Sequence, residues 1–221
     1  IMSSDWSSDV CSSDLTCDPV SMRQQNTIRV GDRTWELDTA LTGPHQLRNT
    51  SVAWAAVCRL QKALNLDLEA AGEGFRRATW PSRLQLLPDG ILLDAAHNPD
   101  AMDIIVGHLR DVYPKRRWNL LFGCLKNKEW QAMLRLLAPL CASVNVVAFD
   151  HKRLQPPAET AAFLRGEFPG LTVNTFPDPL SGLQEIRRLG QGLILGSLYL
   201  AGEILNDYYH GEPVPVEDDT E

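Results

Sequence analysis

The feature that most constrains the fold lies after Arg83, where short apolar runs alternate with helix-length amphipathic segments. A short apolar run is typical of a strand that is buried on both faces of a sheet. Strand and helix in alternation predict a mostly parallel sheet with helices on both faces, which is a doubly wound α/β domain. The predicted strands are 84–87, 91–94, 118–122, 144–149, 171–176 and 193–195, and the predicted helices are 100–113, 128–138, 157–167, 180–190 and 198–209.

A different pattern precedes this region. Residues 28–38 alternate polar and apolar side chains around a turn, which predicts a hairpin. Apolar residues at helical spacing predict a long helix over 45–66, and 67–80 fits a shorter helix with a connection. Because Pro81 disfavours helical backbone at Trp80, we place a domain boundary near this pair.

The two ends of the chain differ from its body. Ser-Ser-Asp recurs within residues 1–15 without helical or strand periodicity, which indicates low complexity. The same stretch resembles the translation of a sequencing-adapter oligonucleotide, so we expect residues 1–15 to be a non-native or disordered leader. Residues 212–221 are acidic and have little to bury, so we expect a disordered tail there.

Composition excludes several classes of protein. The chain has 221 residues, 44% of them hydrophobic, but no apolar run long enough to cross a bilayer. Its start does not read as a secretory signal, so we expect a cytoplasmic protein without a membrane partner. The net charge of -7 arises from acidic residues at the two ends, and the near-neutral body gives no reason to expect nucleic acid as a partner.

Several sequence motifs are absent. The five cysteines form no C-x-x-C pair, which argues against a disulfide framework and a zinc site. The chain has no G-x-x-x-x-G-K-[ST] loop for a triphosphate, and no G-x-G-x-x-G, H-E-x-x-H or G-x-S-x-G. The simplest nicotinamide enzyme, zinc protease and serine hydrolase are therefore disfavoured.

Candidate site residues follow from the predicted sheet. Ligands of doubly wound sheets bind beyond the carboxyl ends of the strands, where the chain leaves each strand. Asp94 and Ser197 also fit a structural function as helix N-caps, and His97 fits a partly exposed turn. The segments that follow the predicted strands, and that carry a carboxylate, imidazole and amide groups, a hydroxyl and several cations, are 94–99, 123–126, 150–153 and 196–197.

Five blocks of the sequence, taken in order, resemble a known family. The blocks are GPHQLRN at 43–49, WPSRLQ at 80–85, LLDAAHNP at 92–99, FG at 122–123 and GSLYLAGE at 196–203. Their order and spacing resemble the carboxyl-terminal half of the bifunctional dihydrofolate synthase/folylpolyglutamate synthase family, within the Mur ligase superfamily. The resemblance implies a complete carboxyl-terminal ligase domain over 80–211. It also implies that 16–79 is the tail of a central ATP-binding domain with its linker.

The resemblance implies an ATP-dependent amide ligase of folate and one-carbon metabolism. In that family the γ-phosphoryl group of ATP activates a pteroate or folyl carboxylate as an acyl phosphate, which the amine of L-glutamate attacks. The implied cofactors are ATP and Mg²⁺, and the implied partners are ATP, L-glutamate and dihydropteroate or reduced folates, bound by a monomer. By match to the motifs, Asn49, Arg83 and Asp94 would contact ATP, while His97 and Ser197 would act in glutamate handling and chemistry.

This sequence departs from the family pattern in two ways. Ser82 and Ala95 stand where the family usually has glycine, so we expect a modest adjustment of the backbone. The P-loop, the Mg²⁺ ligands and a modified lysine of the central domain match nothing in this chain, so we expect a carboxyl-terminal fragment that is inactive alone. Two alternatives stay open: another Mur-type peptide ligase, and a stand-alone nucleotide-binding or interaction module without catalysis.

Overall fold

The structure is a computed structural model that describes the backbone of residues 10–210 and the side chains of residues 16–210. The chain divides into two compact units, the first ending at Trp80 and the second beginning at Pro81. The predicted tail at 212–221 and the first nine residues of the predicted leader lie outside the described residues. The assignment of each unit to a domain of a longer enzyme stays a prediction.

The first unit combines a three-stranded antiparallel sheet with two helices. The predicted hairpin and both predicted helices are present. The strands are β1 (Val10–Cys17), β2 (Gln24–Val30) and β3 (Arg33–Thr39), and the helices are α1 (Pro44–Leu64) and α2 (Leu68–Arg77).

Strand β1 differs from the sequence-based expectation. Residues 10–15 lack strand periodicity and were expected to be without structure, but their backbone pairs with β2 from Val10 opposite Val30 onwards. The expectation is wrong for these residues because the backbone groups along the edge of β2 can pair with any extended segment, whatever its side-chain pattern. The non-native origin of residues 1–15 is a separate matter and stays a prediction.

The core of the first unit is aromatic. Trp54 of α1 is fully buried beside Ile28 and Leu37. Its ring meets Trp35 and Phe75 edge-on, with centroids 5.2 and 5.5 Å apart. Edge-to-face pairs at this distance add to the free energy gained from apolar burial. They hold both helices against one face of the sheet.

The second unit is built on a six-stranded sheet in the order β4-β5-β9-β6-β7-β8. Only β4 runs antiparallel to its neighbour, and the other pairings are parallel. This mostly parallel α/β sheet confirms the predicted fold class. The strands are β4 (Gln85–Leu86), β5 (Leu92–Leu93), β6 (Trp118–Phe122), β7 (Cys141–Val147), β8 (Thr172–Phe176) and β9 (Gly192–Leu195), and the helices are α3 (Pro99–Val112), α4 (Trp130–Leu137), α5 (Pro157–Glu167), α6 (Pro179–Leu189) and α7 (Leu198–Tyr209).

The strand order decides which face each helix covers. The connections from β5 to β6, β7 and β8 all move in one direction across the sheet, so right-handed crossovers place α3, α4 and α5 on one face. The return from β8 to β9 reverses the direction and brings α6 and α7 to the opposite face. Gly182 lets α6 approach closely, since a Cβ there would lie 2.5 Å from a methyl carbon of Leu121. The carboxyl ends of β5, β9, β6 and β7 therefore share one edge.

No helix within residues 10–210 has both the length and the apolar composition needed to cross a bilayer.

Candidate functional site

A cavity of about 210 Å³ opens at the carboxyl edge of the parallel strands in the second unit. The loops that follow β5, β6, β7 and β9 each contribute to its wall, as expected for a doubly wound sheet. Its polar and aromatic lining residues are His97 after β5, Asn127 and Lys128 after β6, Arg153 after β7, and Ser197 and Tyr199 after β9.

The charge of this pocket favours an anion. Lys128 and Arg153 line it, and its lining, drawn wholly from residues 97–199, contains no Asp or Glu. His97 is half-buried and faces the same space. Cations gathered in a concave wall raise the local concentration of negatively charged ligands.

Gly196 brings three of the loops together. It follows β9 with a φ of 116°, and its N–H donates a 3.0 Å hydrogen bond to the carbonyl of Ala96. A Cβ at this position would lie 2.6 Å from the carbonyl oxygen of Gly123, at the end of β6. Both the backbone angle and the close approach therefore require glycine here.

The loops after β6 and β7 are joined by backbone hydrogen bonds. The N–H of Lys126 donates to the carbonyl of Arg153 at 2.8 Å, and the N–H of Gln155 donates to the carbonyl of Cys124 at 2.9 Å. This pairing fixes the backbone that carries Lys128 relative to the backbone that carries Arg153. The two cations consequently belong to one continuous wall of the pocket.

Ser197 and His97, the predicted catalytic residues, line the same pocket. The Oγ of Ser197 accepts a 3.1 Å hydrogen bond from the N–H of Tyr199, so the serine is also the N-cap of α7. The Nδ1–H of His97 donates to the carbonyl of Ala95 at 2.9 Å. That bond fixes the imidazole and leaves Nε2 as the nitrogen that can face a ligand.

Asp94 is held inward. The residue is only 4% exposed, and its carboxylate accepts hydrogen bonds from the N–H of Leu84 at 2.9 Å and of Ala96 at 2.7 Å. Burial raises the pKa of Asp94, while these two N–H groups and the neighbouring Arg83 and His97 oppose that rise. The alternative of Asp94 as the cap of the next helix is wrong, since Asn98 caps α3.

Arg83 and Asn49 are the other two residues predicted to contact the nucleotide, and like Asp94 they lie outside the pocket lining. Arg83 is exposed and follows Ser82, which adopts a left-handed φ of 58°. Ser82 is one of the positions where the family usually has glycine, so the adjustment expected there takes the form of backbone strain. Asn49 is exposed on α1 of the first unit, where its Nδ2 donates to Oε1 of Gln46 at 3.2 Å.

Sequence reasoning missed Lys128, Asn127 and Tyr199 as pocket residues. Lys128 was not recognised as a loop residue because the predicted helix begins there, whereas α4 begins at Trp130. Arg153 lay within a candidate segment but had no assigned function. The strand-end rule would have found Asn127 and Lys128 had the loop after β6 been extended to the true start of α4.

The side chains described for residues 16–210 bring together no group of three or more His, Cys, Asp or Glu that could hold a metal ion. The position of the Mg²⁺ ligands therefore stays a prediction.

Comparison with known proteins identifies the family. The sequence profile of the family described as "Mur ligase, glutamate ligase domain" matches residues 82–197, which is more than half of the chain. This chain belongs to the Mur ligase family. The resemblance to the Mur ligase superfamily that the five sequence blocks indicated is thereby confirmed.

Several relatives of this Mur ligase chain are folate enzymes. It is 24% identical over 188 residues to the dihydrofolate synthase/folylpolyglutamate synthase of Bacillus subtilis, a match that covers 82% of this chain and 43% of that protein. It is 28% identical to the folylpolyglutamate synthase of Lacticaseibacillus casei, covering 78% of this chain and 40% of the relative. The chain therefore spans less than half the length of these two relatives.

Solved structures share the fold. The folylpolyglutamate synthase of Mycobacterium tuberculosis, complexed with ADP and AMPPCP, matches with a TM-score of 0.79 at 21% identity. The match covers 94% of this chain and 49% of the Mycobacterium tuberculosis chain. The folylpolyglutamate synthase of Thermotoga maritima has a TM-score of 0.74 at 24% identity, covering 92% of this chain and 47% of its own.

Proposed function

We propose that the protein to which this chain belongs is an ATP-dependent ligase that adds L-glutamate to dihydropteroate, to folylpolyglutamates or to both. The observation that carries the proposal is the cation-lined pocket at the carboxyl edge of the glutamate ligase domain. The folate enzymes among its relatives support the choice of acceptor. We place this ligase in the cytoplasm and expect it to act as a monomer.

The pocket suits L-glutamate in charge and in size. The amino acid carries two carboxylates at neutral pH, and Lys128 and Arg153 offer two cations. A cavity of about 210 Å³ matches an amino acid better than a nucleotide, since pockets for larger ligands measure roughly 300–1,000 Å³. In this proposal Arg153 and Lys128 bind carboxylate groups of the incoming glutamate.

His97 and Ser197 complete the proposed chemistry. An amine attacks a carbonyl only after it has lost a proton. In this proposal the Nε2 of His97 accepts that proton, and the hydrogen bond from Nδ1 to the carbonyl of Ala95 orients the ring for it. Ser197 offers a hydroxyl beside the same ligand. ATP, when bound, would transfer its γ-phosphoryl group to the pteroate or folyl carboxylate and leave as ADP, and attack of the glutamate amine on that acyl phosphate would form the amide as inorganic phosphate leaves.

The three residues proposed for ATP fit it unequally. Arg83 is an exposed guanidinium, which suits a phosphate group, and Asn49 is an exposed amide. Asp94 fits a direct contact less well, because both carboxylate oxygens already accept backbone hydrogen bonds. We propose that it acts by holding the backbone next to Arg83 and His97. Residues 16–210 hold no cluster of metal ligands, so none of them is assigned to Mg²⁺.

The test is an NMR titration of the 221-residue chain with L-glutamate. Hydrogen bonds to charged groups contribute about 1.5–3 kcal/mol, so Arg153→Ala should weaken binding by about 10- to 100-fold. Lys115→Ala removes an exposed cation outside the pocket lining and should leave the affinity unchanged. Equal affinities in all three chains, or no binding by the wild-type chain, would contradict the proposal.

A further inference from the structure

We propose that His151 is a positioning residue of this pocket, which holds Arg153 through its Nδ1 atom and Tyr199 through its ring. The inference rests on the proposed function, because it concerns how the same pocket grips its anionic ligand. His151 does not itself line the cavity, so it acts through the two residues that do.

The first contact fixes the turn that carries Arg153. The N–H of Arg153 donates a 3.0 Å hydrogen bond to Nδ1 of His151, and the N–H of Leu154 donates to the carbonyl of His151 at 3.0 Å. A side-chain acceptor that binds the N–H two residues later is the geometry of an Asx turn, here made by an imidazole. Because the carbonyl of Arg153 accepts from Lys126, both backbone polar groups of Arg153 are held.

The second contact is with Tyr199, another residue that lines the pocket. The ring of His151 lies 4.4 Å from the ring of Tyr199, centroid to centroid, at an interplanar angle of 47°. Tyr199 also faces Phe149 in a nearly parallel arrangement at 6.4 Å. Tyr199 is about half exposed, so these ring contacts restrict a side chain that the core leaves partly free.

The two contacts join elements that are distant in the sequence. Arg153 belongs to the loop after β7, whereas Tyr199 belongs to the first turn of α7. One imidazole therefore contacts both the backbone that carries the Arg153 side chain and the ring of Tyr199. A preorganised wall loses less conformational entropy when a ligand binds, which raises affinity without a direct contact.

Three substitutions separate the two contacts. Asparagine at position 151 keeps an acceptor for the N–H of Arg153 but removes the ring, phenylalanine keeps a ring but removes the acceptor, and alanine removes both. We expect His151→Ala to weaken L-glutamate binding by about fivefold, the factor that corresponds to one ordinary hydrogen bond. His151→Asn and His151→Phe should each recover part of that loss. His210→Asn, at the exposed end of α7, is the matched control and should bind as the wild type does.

NMR of the chain without ligand decides the positioning separately from the proposed function. We expect Nδ1 of His151 to be unprotonated, the amide signal of Arg153 to move in His151→Ala and His151→Phe, and that signal to stay near its wild-type position in His151→Asn. An unmoved Arg153 amide in His151→Ala would overturn the inference, as would full affinity in all three variants. Absence of any L-glutamate binding by the wild-type chain would overturn the proposed function instead, while the amide signals still decide the positioning.

Discussion

Replacing Asp94 by alanine removes the acceptor of two buried backbone N–H groups, those of Leu84 and Ala96. Each buried donor left without a partner costs about 1–3 kcal/mol, which gives roughly 2–6 kcal/mol for the pair. Part of this loss of stability is offset, because the variant no longer buries a carboxylate, whose pKa is raised by burial in the wild type. We therefore expect Asp94→Ala to lower the free energy of unfolding of the second unit by about 2–4 kcal/mol.

Hydrogen exchange of the β6 and β9 amides measures this loss in the second unit alone, since central strands exchange mainly through global unfolding. The matched control is Asp178→Ala, which removes an aspartate that also follows a strand and caps α6 near the surface. We expect a clearly smaller loss there, because water can reach the N–H groups that it exposes.

The pH dependence gives a second measurement. Because the pKa of Asp94 is raised in the folded state, its contribution to stability is fully present below the ordinary pKa and is lost as pH rises through the raised value. The stability of the wild type relative to Asp94→Asn, which does not titrate, should therefore fall as pH rises through the acidic range. Equal losses in Asp94→Ala and Asp178→Ala, with no pH-dependent difference from Asp94→Asn, would refute this account of Asp94.

Three further predictions concern two positions with positive φ, Ser82 and Gly196, and the activity of the chain. In urea unfolding, Ser82→Gly should have a free energy of unfolding about 1 kcal/mol higher than Ser82→Ala, because serine and alanine are both strained by the left-handed φ of 58° and glycine is not. Equal urea midpoints would count against strain at this position. Gly196→Ala should lower the free energy of unfolding by about 1–3 kcal/mol more than Gly170→Ala does. Both glycines have positive φ, but of the two only Gly196 has a carbonyl oxygen 2.6 Å from the added Cβ. A thermal melt of the two variants decides this. The 221-residue chain alone should release no ADP in a glutamate-dependent manner, because it has no phosphate loop, and measurable release would show otherwise.

Segments with strong local signals could be predicted from the sequence with their true boundaries. Strand β6 is fully buried and therefore uniformly apolar except for Asn119, while α5 begins at a proline and α7 follows a serine cap. The start of α4 was misplaced because Lys128 instead donates its N–H to the carbonyl of Leu125 and ends a turn. Nothing in the local pattern distinguishes that turn from a first helical turn.

The candidate site could be predicted only in part, for a similar reason. His97 and Ser197 follow strands directly, so the sheet rule finds them without further information. The partners of Asp94 include the N–H of Leu84, and those of His151 include the ring of Tyr199. Such contacts join segments through the tertiary fold, and no spacing rule within one segment reports them.

The position of β9 has a consequence for how this chain matures. It lies between β5 and β6 although it is the last strand to be synthesised, so both neighbours present unpaired inner edges until it arrives. We expect a nascent chain whose emerged part ends near residue 190 to be sensitive to proteases and to become resistant once residues 192–195 have also emerged. Resistance before that point would argue against this order. The same strand leads directly into Gly196 and Ser197. Closure of the sheet and completion of the pocket are therefore one event, which delays ligand binding until nearly the whole domain has left the ribosome.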